Sequence, residues 1–330
     1  MTRTSRLFTI LAFLAAVAAL MPADTLAAKT RLGFSGGPEG GTFQYFSNGI
    51  AVRLTKDLPN IEVFNMASAG SVENVRRINS GDADFGISYS GDTYLARNGR
   101  LPRDDTKYVH VLAVAYLYGA PAHLIVLEGS GIDKISDLAG RRIAVGGAGS
   151  GAAAAAQRFF GNLGLWDKMK VDFIGYSKAA GALDRELIDA MWVFAGFPNS
   201  SVIQAAANNK IKILDTREAA EKGGVLEQFP FYAPVTIPAG TYSGVDYDVK
   251  TFQDSALWVA GENVPPDVVY NSVSDIFAPA GLSYMVKVKS TAKAMSVKGA
   301  LTGIVTPLHE GAITFWKEKG LTLTKEQRGH

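Results

Sequence analysis

Short runs of β-branched and apolar residues recur along the chain at regular intervals. Ile61–Met66, Ala83–Ser88, Val111–Leu117, Ala122–Leu127, Arg142–Val145, Val171–Tyr176, Asp189–Ala195 and Lys210–Leu214 predict strands. Between them the period shifts toward that of a helix. Ser71–Asn79 predicts a helix with Ser71 as its N-cap, and the alanine-rich run from Ala152 to Leu165 predicts another. Strands that alternate with helices predict an α/β fold with largely parallel sheets. The tail turns helical. Pro265–Tyr270 opens a helix with proline in its first turn, and Leu282–Ala300 and Glu310–Lys319 follow.

The stretch from Ile132 to Asp215 reads as a self-contained alternation, while the segments on either side read as one interrupted unit. Phe231–Pro238 is extended and proline-bearing, as suits a chain crossing back. A length of 330 residues supports two lobes of roughly 150 residues each. The expectation is therefore a leader at residues 1–28, a discontinuous lobe I at 29–117 plus 237–330, and an inserted lobe II at 118–236. The seam between two such lobes is a preferred ligand site.

The leader carries Arg3 and Arg6, then an apolar run from Leu7 to Met21, then small residues at Ala27 and Ala28. That is the three-part pattern of a cleavable secretory signal peptide, and the run is shorter than the ~20 residues of a membrane-spanning helix. It predicts export, to the periplasm in a host with two membranes. The chain has no cysteine, which removes disulfides and thiolate metal sites. A formal net charge of +2 and the lack of a basic run argue against nucleic acid.

Few residues form a recognisable reaction centre. There is no H-E-x-x-H, and His110, His123, His309 and His330 stand in no acid-bearing motif. His110 and His123 lie in strand-like runs and read as packed or hydrogen-bonded; His309 reads as structural, at the start of the last helix. Gly147–Ala152 fits G-x-G-x-x-A, yet the next strand carries Asp172 near its start rather than an acid at its end. The expectation is no catalytic residue, no metal and no cofactor. The excess is in glycine, 35 residues, and three glycine-rich turns precede helices: Gly36–Thr42, Gly70–Ser71 and Gly149–Gly151. A turn of this kind presents backbone N–H groups at a helix N-terminus, which suits a carboxylate or phosphate. Two turns fall in lobe I and one in lobe II, so they predict a small anion held from both sides.

These residues carry a resemblance. Gly40–Tyr45 (GGTFQY), Gly70–Asn74 (GSVEN), Asp137–Gly151 (DLAGRRIAVGGAGSG) and Thr306–Ala312 (TPLHEGA) resemble a TAXI-family solute receptor, the extracytoplasmic binding subunit of a TRAP transporter. The resemblance spans essentially the whole chain after the leader. It implies a type II periplasmic-binding-protein fold, two lobes around a ligand cleft. It also implies glutamate-type amino acids or dicarboxylates as ligands, and TRAP membrane subunits as partners. Carried over, the ligand contacts are Gly40, Gly41, Thr42 and Tyr45; Gly70, Ser71 and Asn74; Ser90 and Asp92; Ser150, Gly151 and Ala152; and Phe197 and Pro198. Ser90 replaces a frequent glutamine, and Ala152 a frequent hydroxyl residue. Glu39 and Lys178 are charged near the expected loops. A sensory ligand-binding module and an exported enzyme on the same fold are the alternatives.

Overall fold

The computed structural model describes residues 29–329. The signal-peptide reading of residues 1–28 lies outside the described residues. In chain order the strands and helices are β1 (Thr30–Ser35), α1 (Thr42–Asp57), β2 (Ile61–Met66), α2 (Ser71–Ser80), β3 (Phe85–Tyr89), α3 (Ser90–Arg97) and β4 (Val111–Leu127). Next come β5 (Arg142–Ala144), α4 (Gly151–Asn162), β6 (Lys170–Asp172), α5 (Tyr176–Asp184), β7 (Ala190–Phe194), α6 (Ser200–Asn208) and β8 (Ile211–Leu214). The chain continues through α7 (Arg217–Lys222), α8 (Val225–Gln228), β9 (Ala233–Ile237) and β10 (Val249–Gly261). It ends with α9 (Pro266–Phe277), α10 (Pro279–Val288), α11 (Glu310–Glu318) and α12 (Lys325–Arg328). No helix among the described residues is long and apolar enough to cross a membrane.

The strands order as β2-β1-β3-β10-β4-β7-β5-β6, with β8 also beside β4 and β9 beside β10. The fold is α/β as expected, but the sheet is mixed rather than largely parallel. Pairs β1/β2, β1/β3, β5/β6 and β5/β7 are parallel. β10 runs antiparallel to β3 and β4, and β4 antiparallel to β7 and β8. Two long strands thus tie the halves together. β4 pairs with β10 from Val111 to Pro121 and with β7 from Ala122 to Val126. Pro121, which has no N–H to give a ladder, stands at the changeover between partners.

Each half has its own aromatic centre. In one, Trp258 lies 6.2 Å from Phe34 and 5.5 Å from Phe85, ring centroid to centroid. In the other, Trp192 stacks on Phe159 at 5.4 Å and meets Phe160 edge-on at 5.3 Å. All of these rings are fully buried, and pairs of this geometry add ~0.5–1.5 kcal/mol beyond the area they bury.

Four local expectations are corrected. The two β-rich runs around residue 120 are one strand, β4, which is buried along most of both faces. Val171–Tyr176 is strand only as far as Asp172, and Tyr176 opens α5 instead. The helix expected over Leu282–Ala300 ends at Val288, where extended Lys289 breaks it. Ser71 is the first residue of α2, not its cap; Gly70 caps it at φ 123, a conformation that excludes a Cβ.

Candidate functional site

Four helices begin around one cavity between the halves. It is lined by Gly41 and Thr42 at the start of α1, Gly70 and Ser71 at α2, Ser150, Gly151 and Ala152 at α4, and Tyr176 at α5. Pro38, Phe43, Ala69, Tyr89 and Ala195 complete the wall. No lining residue carries a charge. The N-caps of α1, α2 and α5 make no side-chain hydrogen bond, so no side chain competes for the first-turn N–H groups there. At α4 the Ser150 hydroxyl accepts from Ala153 N at 3.0 Å, leaving its own proton to give. Each helix start carries about half a positive charge, and the field of several converging starts favours negative charge over positive. Its volume is about 20 Å³, room for roughly one water.

The halves are held together around it. Thr42 Oγ1 donates to Gly196 O at 3.4 Å, Glu73 N to Gly149 O at 3.1 Å, and Tyr89 Oη to Phe194 O at 2.5 Å. Gly40 O accepts from Asn199 Nδ2 at 3.3 Å and from Ser200 Oγ at 3.0 Å. Glycine at position 151 is required by this closure. A Cβ there would lie 2.5 Å from Asp92 Oδ2, 2.5 Å from the Tyr89 ring and 2.6 Å from Ser71 Cβ, all on the opposite half.

The remaining expected contacts lie elsewhere. Gly40, Glu39 and Tyr45 face a separate, open groove of about 600 Å³, and Lys289 Nζ covers the Tyr45 ring at 4.7 Å from its centroid. Lys178 is exposed on α5. Asn74 is a buried clamp: it accepts from Ser35 Oγ and donates to Gly36 O and Ile87 O, each at 2.7 Å. Ser90 donates to Gly303 O at 2.5 Å. Phe197 and Pro198, joined by a cis peptide, lie beyond Gly196, where Thr291 Oγ1 donates to Phe197 O at 3.3 Å.

Asp92 is fully buried behind Gly151, where it pairs with Arg158 of α4 at 3.0 Å. Arg158 also donates to Tyr232 Oη at 2.7 Å and lies over the rings of Phe229, Phe231 and Tyr232. Asp254 of β10 accepts from Gly91 N nearby; burial first, then the Asp92 charge, pushes its pKa well above the ordinary carboxylate value. Asp92 thus joins the halves and is neutralised by Arg158 instead of facing the cavity.

Sequence reasoning missed Tyr89, Tyr176 and Asn199. Asn199 caps α6 through Oδ1, accepting from Ser201 N at 2.9 Å and Val202 N at 3.3 Å. Its own N–H donates to Tyr242 Oη at 3.0 Å; Tyr242 Oη donates to His123 Nε2 at 2.9 Å, and His123 Nδ1 donates to Pro121 O at 3.0 Å. This chain fixes a neutral His123, whose pKa burial lowers to about 4. The sequence around Tyr242 gives no hint of these partners. His309 caps α11, accepting from Gly311 N at 3.2 Å.

Solved structures share this architecture. MatC from Rhodopseudomonas palustris, with bound malate, is similar at TM-score 0.51 and 18% identity, covering 82% of this chain and 90% of MatC. A protein from Bordetella bronchiseptica RB50 matches at TM-score 0.51 and 15% identity, covering 84% of this chain and 82% of that one. A binding protein component of a phosphonate ABC transporter from Pseudomonas aeruginosa matches at TM-score 0.50 and 11% identity, covering 80% and 79%. The fold is that of two-lobed periplasmic binding proteins. The profile of the NMT1-like family matches residues 34–320, nearly all of the described chain, and the protein belongs to that family.

Proposed function

We propose that the protein is an extracytoplasmic solute receptor, without enzymatic activity, that captures a small organic anion between lobes 29–117 plus 237–330 and 118–236. The observation that carries this reading is the meeting of four helix N-termini, two from each half, on one uncharged cavity. The Ser150 hydroxyl, with its proton uncommitted, stands beside the backbone donors. A four- or five-carbon dicarboxylate or glutamate needs ~150 Å³ at protein-like packing. The cavity of about 20 Å³ is too small, so the halves part to admit the ligand and close on it. Binding drives closure only by its difference in affinity between the two arrangements.

Small-oxyanion ligands among the structural neighbours support the class, and the malate bound to MatC is a dicarboxylate. Delivery to TRAP membrane subunits rests on the resemblance of the GGTFQY, GSVEN and TPLHEGA runs. A thermal-shift screen of L-glutamate, succinate, L-malate and methylphosphonate, followed by calorimetry, tests the receptor reading. One or more should raise Tm in a saturable way. Failure of the whole panel, or turnover of any member, removes the reading. Ion-gradient-driven uptake in cells with the TRAP subunits, lost without this chain, tests the partnership.

A further inference from the structure

On the far side of Ser150 from the cavity, a groove of about 380 Å³ runs along the same seam. Val72 and Leu101 line it from one half, and Ala153, Trp166, Val171 and Phe173 from the other. Phe173 is 51% exposed, unusual for phenylalanine, and meets the half-buried Trp166 edge-on with centroids 6.4 Å apart. Two cations stand over this apolar surface, Arg76 and Arg103. Their states differ. Arg76 donates through Nε at 3.1 Å and Nη2 at 2.7 Å to Asp104 Oδ2, so its charge is matched. Arg103 is exposed and forms no ion pair among the described residues.

The position of Arg103 is imposed by its neighbours. Asp104 N donates to Leu101 O at 3.1 Å, and the Asp104 carboxylate accepts from Arg76, Tyr108 Oη at 2.9 Å and Thr106 N at 3.1 Å. Burial pushes the Asp104 pKa up, but the bonds from Arg76, Tyr108 and Thr106 together outweigh it and lower the pKa to about 2, so the anchor is ionised at neutral pH. The turn they hold puts Arg103 at φ 58, in the left-handed region that arginine rarely adopts. Such backbone persists where the surroundings over-determine it. An apolar slot with an aromatic wall and one unmatched guanidinium has the size and makeup of a small-molecule site.

We infer that this groove is a second binding site, for an amphipathic carboxylate: an aryl group against Trp166 and Phe173, its carboxylate on Arg103. It shares the seam and Ser150 with the cavity but requires no ligand there. The probe is 2-naphthoate, with the neutral 2-naphthalenemethanol as control, titrated into the whole protein by calorimetry and by intrinsic fluorescence. Trp192, Trp258 and Trp316 are buried, so the fluorescence change should come from Trp166 and vanish in Trp166→Phe. The naphthoate should bind saturably and the alcohol at least tenfold more weakly. Arg103→Gln should weaken naphthoate about tenfold and leave the alcohol unchanged, while Phe173→Ala weakens both. Both residues are exposed, and unchanged circular dichroism verifies folding. Ser71 lines the cavity and not the groove, so Ser71→Ala, its folding verified in the same way, should leave naphthoate binding intact. Absence of saturable binding, equal affinity for the alcohol, indifference to Arg103→Gln, or loss of binding in Ser71→Ala would each overturn the assignment.

Discussion

Tyr89 and Tyr176 give their hydroxyl protons to the same acceptor, the carbonyl oxygen of Phe194, at 2.5 Å and 3.0 Å. Tyr89 reaches it from the opposite half, at the end of β3; Tyr176 reaches it from within the same half, at the start of α5. Only the first bond exists solely when the halves meet. Tyr89→Phe should therefore weaken ligand affinity by about five- to tenfold, the worth of one buried hydrogen bond, with little change in unliganded stability. Tyr176→Phe should lower the melting temperature and alter affinity less. Calorimetry beside thermal melts of both variants decides this, and the reverse pattern would contradict the assignment of Tyr89 to closure.

Gly151→Ala is expected to hold the halves apart. Its methyl would collide with Asp92, Tyr89 and Ser71 across the seam, while its own helix gains a better former. Affinity should fall by about 100-fold or more with unliganded stability equal or higher. Small-angle scattering should show no ligand-induced compaction in this variant.

The Arg158–Asp92 pair separates two kinds of cost. Asp92→Leu leaves a buried guanidinium without its carboxylate and should destabilise by about 3–5 kcal/mol. Adding Arg158→Met should restore most of that loss, because a well-packed apolar pair can replace a buried ion pair. Urea titrations of the two single variants and the double variant measure the coupling; additive losses would mean that the pair does not act as a unit.

Acid sensitivity should trace in part to His123. Its folded pKa, about 4, lies below the ordinary value of 6.5, so the unfolded chain binds the extra proton first. Its contribution is complete above pH 6.5 and is lost as pH falls toward 4, by about 3 kcal/mol at most. Buried His309 is shifted in the same direction. Asp254 acts oppositely: with a raised folded pKa it favours the fold at low pH and loses that contribution as pH rises. Denaturation at pH 4.5, 5.5, 6.5 and 7.5 should show a slope that His123→Gln flattens.

Charge at the mouth should matter little. Glu39 and Lys178 are exposed and outside the cavity wall, in reach of screening ions. Glu39→Gln and Lys178→Gln should each change affinity for a small carboxylate by less than about twofold at 0.15 M salt. A tenfold change for Glu39→Gln would place that carboxylate against the ligand.

The glycine turns were legible because their work is local. Gly41, Gly70 and Ser150 announce helix starts within a few residues, and three such starts meet at one point. Tyr89 and Tyr176 were not legible, since their acceptor lies 105 and 18 residues away on β7. Strand β10 was missed for a different reason. Lys250, Gln253, Asp254 and Ser255 interrupt its apolar run and read as a polar loop. Asp254 is in fact buried, accepting from the Gly91 and Ser255 N–H groups, so the polarity that hides the strand belongs to the interior. Asp92 read as a ligand contact because the family resemblance carried it over; its partner, 66 residues on, turns it into a tie between the halves.

β4 and β10 pass through both halves as hydrogen-bonded neighbours, from Val111 to Pro121 against Gly261 to Gln253. A paired ribbon of this kind resists sliding along its ladder, because every bond in register would break at once, yet it twists and flexes readily. The halves can therefore rock about the ribbon like covers about a spine, without shearing past one another. Halves that part in this way, as the proposed function requires, would open a wedge widest at the edge farthest from those strands, and that edge is where a solute is expected to enter.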